Sequence, residues 1–185
     1  LDVEFSQYIK TEFEFVKLFD LNKENVFATR YFLGVAIPYG NAQNIPFARS
    51  YFAGGSNDNR AWQSYGLGPG SSGSINDFNE ANLKLSFSTE YRFRVGGNFH
   101  SAVFVDVGNI WNFLDNVEDE RYTFTGIKSL QDLAVGSGIG LRYDFDFFVF
   151  RIDLGYKTYD PARETSERWF RGINFGKTVL NFGIN

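Results

Sequence analysis

Cysteine and methionine are absent from this chain, and histidine occurs once and proline four times among its 185 residues. Without cysteine there is no disulfide scaffold, no thiolate zinc site and no cysteine nucleophile, and a single histidine rules out a poly-histidine metal centre. No apolar run approaches the roughly 18 residues that a membrane-crossing helix requires, although a transmembrane β-barrel would escape that criterion. Charge of one sign is missing too. The 18 Lys and Arg stand interspersed with 22 Asp and Glu, net −4, so no basic stripe offers a footprint for nucleic acid. A chain that starts at Leu1 and holds no methionine is expected to be a processed or partial piece of a longer polypeptide.

What the chain does have is Phe (22), Tyr (10) and Gly (19), a composition that favours pleated strands over Ala- and Leu-rich helices. Alternation is the main signal. From Ala81 to Val95, the residues Ala81, Leu83, Leu85, Phe87, Thr89, Tyr91, Phe93 and Val95 share one face, against Asn82, Lys84, Ser86, Ser88, Glu90, Arg92 and Arg94 on the other. Period-2 order over this length predicts a strand with one apolar and one wet surface. Phe27–Tyr39 repeats it, and so do segments around Ile9–Phe15, Val103–Val107, Val135–Tyr143 and Phe148–Tyr156. A last strand is predicted from about Arg171 to Asn185. Its apolar residues change parity across Gly176-Lys177, which a kink or bulge at the glycine would reconcile.

These seven strands are mostly long enough to cross a bilayer at a tilt. Short polar turns at Asp20–Asn25, Gly96–Asn98 and Phe145–Phe147 alternate with long segments at about 40–79, 112–132 and 159–170. Outer-membrane barrels place short turns in the periplasm and long loops outside, and that rule predicts the topology of every connection here. Single-chain bacterial barrels have even strand counts, so an odd seven leads to the expectation of further strands beyond these residues. An alternative reading is a soluble β-sandwich that binds carbohydrate through exposed Trp62 and Trp111. No nucleophile, base and orienting group fall into a motif, so an enzyme is not expected. Neither a cofactor nor a metal is expected: the acidic Glu118-Asp119-Glu120 lacks the spacing of a calcium loop.

The most informative stretch is the long segment from Pro46 to Gly73. It reads Phe52-Ala53-Gly54-Gly55-Ser56, then Arg60-Ala61-Trp62, then Leu67-Gly68-Pro69-Gly70. Two strands follow with patterns of their own: Val103-Phe104-Val105-Asp106-Val107-Gly108-Asn109-Ile110-Trp111 and Gly136-Ser137-Gly138-Ile139-Gly140-Leu141-Arg142-Tyr143. In order and spacing, residues 26–185 resemble the C-terminal barrel of the BamA/TamA outer-membrane assembly proteins, also called the surface-antigen family. That family has an aromatic-x-Gly-Gly stretch, an Arg-Gly-aromatic loop tip and a Gly-Pro, followed by similar Phe-x-Asp-x-Gly-x-x-Trp and Gly-x-Gly-x-Arg-Tyr strands. Ala61 departs from it, standing where the family usually has Gly.

The resemblance implies an all-β fold, with residues 1–185 as one partial domain: the last strands of a sixteen-stranded transmembrane barrel with an infolding loop at about 40–79. It implies a factor of the Gram-negative outer membrane that inserts and assembles client barrel proteins without covalent chemistry, by templating client strands at the barrel seam. The implied partners are outer-membrane lipid and client outer-membrane proteins, with room for periplasmic or outer-membrane accessory subunits. A two-partner-secretion pore exporting its substrate through the lumen is the second reading. Carried onto this sequence, the family's loop-tip arginine is Arg60, beside Ala61 and Trp62, and its acidic partners in the lumen are Asp106 and Glu90. Gly54, Gly55 and Gly68 are the glycines that let the loop fold inward. The seam strand carries Asn174, Gly176, Asn181, Phe182 and Gly183, and the family's terminal-strand signal is expected to begin at Asn181-Phe182-Gly183.

Overall fold

A computed structural model describes residues 5–73, 79–171 and 173–184. Seven strands form one antiparallel sheet: β1 (Tyr8–Asn22), β2 (Asn25–Pro38), β3 (Leu83–Gly96), β4 (Phe99–Trp111), β5 (Ala134–Asp144), β6 (Val149–Tyr159) and β7 (Val179–Ile184). They lie side by side in chain order. The sheet is a simple meander, in which short turns after β1, β3 and β5 and long connections after β2, β4 and β6 each return the next strand beside the last. Gly97 supplies the left-handed backbone of the β3–β4 turn at φ +54, and Asp146 does so in the β5–β6 turn at φ +70.

Cross-strand register decides which side chains share a face. Arg30, Ser88, Asp106, Gly136 and Lys157 form one row across β2–β6, and Ala28, Glu90, Phe104, Gly138 and Gly155 form the next. These rows belong to the inner face, which the long β2–β3 loop covers. The outer face carries Phe13, Phe15, Tyr31, Leu33, Val103, Val105, Ile139, Leu141, Leu180 and Phe182, all exposed. Near the short turns it holds a cluster of rings, with Phe99 and Phe145 each packed on Tyr143 at 4.7 and 4.5 Å between centroids. Charges are buried and large apolar side chains are bare, the reverse of a water-soluble sheet. The alternative of a sandwich is thereby corrected: the described residues contain one sheet, with no second sheet packed on its apolar face.

Two boundaries also differ from the sequence reading. Ala81 does not open β3, because it is held instead by a bridge to Tyr51 of the loop, and the ladder starts at Leu83. The last strand is much shorter than Arg171–Asn185. Phe175–Lys177 turn as a 3-10 segment and β7 begins only at Val179, so Asn174 and Gly176 lie in a turn outside the strand. Asn174 Oδ1 accepts the Gly176 N–H at 2.9 Å, a side-chain bond that offers the backbone an alternative to the ladder. The parity change thus marks a strand boundary rather than a bulge. Gly172, Asn185 and the loop residues 74–78 lie outside the described residues.

Candidate functional site

The loop between β2 and β3 folds back over the inner face and builds its own small scaffold there. Tyr51 and Ala81 exchange backbone hydrogen bonds at 2.7 and 2.9 Å, and Gly55 N–H donates to Trp62 O at 2.8 Å, closing a tight excursion whose tip is Asn59–Ala61. Gly54 and Gly55 make that turn at φ +97 and +99, a region that side chains rarely enter, and Asp58 accepts the Gly54 N–H at 2.7 Å. Gly68, at φ +78, lies directly against Asn109 of β4. Tyr51, Ala53, Ala61, Trp62 and Leu67 then pack with Ala36, Ala81, Ile110 and Ala134 into the apolar core between loop and sheet. The Lys157 ammonium sits 4.8 Å over the Trp62 ring.

This scaffold delivers Arg60 to the wall, where it is only 4% exposed. Its Nε and Nη2 donate to the two carboxylate oxygens of Asp106 at 2.8 and 2.9 Å, the bidentate geometry that a guanidinium fork fits. Nη1 donates to Glu90 at 2.5 Å and lies 3.5 Å from Asp153. The Arg60 backbone N–H donates to Asp106 as well, at 3.1 Å, and the guanidinium rests 3.5 Å over the Phe104 ring. Burial alone would lower the Arg60 pKa, but the bonds and charge of Asp106, followed by Glu90, outweigh it and raise the value, so the residue is a permanent cation.

The structure therefore brings together Arg60, Asp106 and Glu90, with Ala61 and Trp62 packed beside them. It also recruits groups whose part in the cluster no motif announces. Arg142 Nη2 lies 2.9 Å from Glu90 and 3.0 Å from Asp153, and Arg92 Nε donates to Glu90 at 2.6 Å. Three carboxylates thus share a cluster of guanidinium groups. Only the parity of Asp153 and Arg142, which puts them on the inner face, hinted at membership. Room for the cluster comes from residues without side chains. A Cβ on Gly136 would run into Asn59 and Ala61, on Gly138 into Phe104, and on Gly140 into Arg142 and Asp153. Among the proposed seam residues, Asn181 is buried against the loop, Phe182 points outward and is exposed, and Gly183 lies under Arg151.

Gly155 is the position that bears on the loop backbone, because a Cβ there would meet the carbonyl of Arg60 and the N–H of Ala61, which are backbone and cannot swing away. Gly155→Ala is expected to lift the loop tip at a cost of about 1–3 kcal/mol. The strands should remain, while cleavage of residues 53–67 by protease accelerates. Gly96→Ala, where nothing lies within 4 Å, is the matched control and should leave cleavage unchanged.

Comparison with known proteins agrees with this geometry. Residues 4–184 match the family described as the Omp85 superfamily domain. The crystal structure of BamA from Haemophilus ducreyi lacking POTRA domains 1–3 is similar over 96% of this chain, with a TM-score of 0.65 at 17% sequence identity. That likeness establishes a shared fold, in which the seven strands correspond to part of a barrel. The match covers 34% of the BamA chain, so the present chain spans about a third of it.

Proposed function

Because the chain belongs to the Omp85 superfamily, we propose that it forms the C-terminal part of an outer-membrane barrel that inserts and assembles other barrel proteins, as the BamA/TamA type does. The physical task is to hide backbone polar groups. A strand entering hydrocarbon costs several kcal/mol for each unsatisfied N–H or C=O, and a sheet edge that offers partners removes that cost. The work is non-covalent and needs no cofactor. Its partners are outer-membrane lipid, against the exposed apolar face, and client barrel proteins at the seam, with the periplasmic side open to accessory subunits.

The observation that carries this reading is the weak hold on β7. It pairs with β6 over six residues, from Phe150↔Ile184 to Gly155↔Val179, whereas the other neighbouring strands pair over ten or more. Its other edge is unpaired among the described residues. A strand held by so short a ladder can part from its neighbour and present an edge to an incoming strand. A cysteine replacing Phe182, on the outward side of β7, is expected to cross-link to a cysteine in the terminal strand of a client stalled during assembly. If the client assembles normally and β7 never cross-links while another strand does, the seam assignment fails.

A further inference from the structure

We propose that the inner side of β7 is a docking strip for the infolded loop, so that β7 separates from β6 only when the loop tip lifts from the wall. The inference rests on the preceding reading only in calling β7 the seam strand. One bond joins loop and strand directly, and a second tie runs through Arg151 of β6. Asn181, 8% exposed, donates its side-chain amide to the carbonyl of Arg60 at 2.9 Å, a buried bond spanning 121 residues of sequence. Two residues on, Gly183 leaves the space that the Arg151 side chain fills. Arg151 Nη2 in turn donates to Ser56 O at 2.8 Å and to the Asn57 side chain at 2.5 Å, both in the loop. Of the two inward positions in Asn181-Phe182-Gly183, Asn181 thus meets the loop directly and Gly183 only through the Arg151 side chain of β6, while Phe182 between them faces outward.

The Arg60 peptide lies flat on Gly155 of β6 with its carbonyl reaching Asn181 of β7, and its guanidinium reaches β3, β4 and β6. A single residue therefore clamps across the short β6–β7 ladder. If β7 swings away, the Arg60 carbonyl loses its buried donor. If the tip lifts, Asn181 loses its acceptor and Arg151 its loop partners. Each event makes the other easier, and coupling of this kind is reciprocal by linkage. Asn181 acts as a positioning residue, holding the loop in register with the seam.

Hydrogen–deuterium exchange on the intact protein in outer-membrane vesicles tests this without any client. Asn181→Ala is expected to speed exchange of residues 53–67 by at least about fivefold, the lower range of allosteric couplings. Arg60→Ala is expected to speed exchange of Val179–Ile184 by a similar factor, although it alters no residue of β7. Leu180→Ala, on the outer face and away from the loop, should loosen β7 and through it speed exchange of residues 53–67 as well, and a loosened β7 with unchanged loop exchange would overturn the coupling. Unchanged β7 exchange in Arg60→Ala, or unchanged loop exchange in Asn181→Ala, overturns the proposal. Should Asn181→Ala fail to assemble, the Arg60→Ala arm still decides, since it reads β7 with the sequence of that strand intact. Cross-linking to a client is a separate measurement, so the seam assignment and the coupling can fail independently.

Discussion

Alanine at position 60 is expected to destabilise the seated loop by about 3–5 kcal/mol, the cost of leaving buried charges without their partner. Asp106 is 1% and Asp153 0% exposed, and neither can recover water without opening the wall. Arg60→Lys should fail nearly as badly. One ammonium cannot reproduce the two parallel bonds to Asp106, the bond to Glu90 and the flat stacking on Phe104 at the same time. The ladders from β1 to β6 should survive, because they do not depend on the loop, while β7 loosens, and the loss should appear as protease access to the loop together with defective client assembly. A double-mutant cycle of Arg60→Ala with Asp106→Ala, read by loop cleavage, should deviate from additivity by about 1–3 kcal/mol. Strict additivity would make Arg60 an independent surface charge.

The second large effect concerns the other face. Val105 is 38% exposed on β4, on the opposite side of the strand from Phe104 and Asp106, where the proposed barrel meets hydrocarbon. Val105→Arg is expected to cost about 2–4 kcal/mol if the residue sits near the bilayer midplane. Ala28→Arg, across from Glu90 on the inner face, should cost less, since that side chain enters a cavity of about 220 Å³ where Glu90 can meet it, with part of the gain offset by repulsion from Arg30, Arg60, Arg92 and Arg151 in the same lining. Ser86 would be a poor inner-face control. Its hydroxyl donates to Asp58 at 3.1 Å beneath the infolded loop, so a larger side chain would disturb the scaffold itself. Folding titrations in lipid vesicles measure both changes, and equal losses would reject the assignment of faces.

How far this could be read in advance depends on the range of each interaction. The strands and their faces were legible because a period of two is a local property: Leu85 and Glu90 announce opposite sides within a few residues of each other. The meeting of Arg60 with Glu90 and Asp106 had no local signal, since the partners lie 30 and 46 residues away, and it entered only through motif resemblance. Asp153 and Arg142 carried the correct parity, but register alone fixes which inward charges touch, and register is set by turns and by a bulge between Val135 and Gly136. The start of β7 was misread because Phe175 looks like a strand residue, while the bond from Gly176 N–H to the Asn174 side chain closes a turn there instead.

The reach of the loop tip has a consequence for the order in which the molecule is made. Glu90, Asp106, Asp153 and Asn181 all follow Arg60 in the chain, and the last of these contacts closes a loop of 121 residues. Contacts of such separation form late, after the local hairpins have paid the entropy of bringing their ends together. Until β6 and β7 arrive, the tip has neither Gly155 to lie on nor Asn181 to hold its carbonyl, and Arg60 stays in water. A seated loop is therefore a sign that β6 and β7 have already joined the sheet, and the seating of the arginine reports on the folding of its own wall.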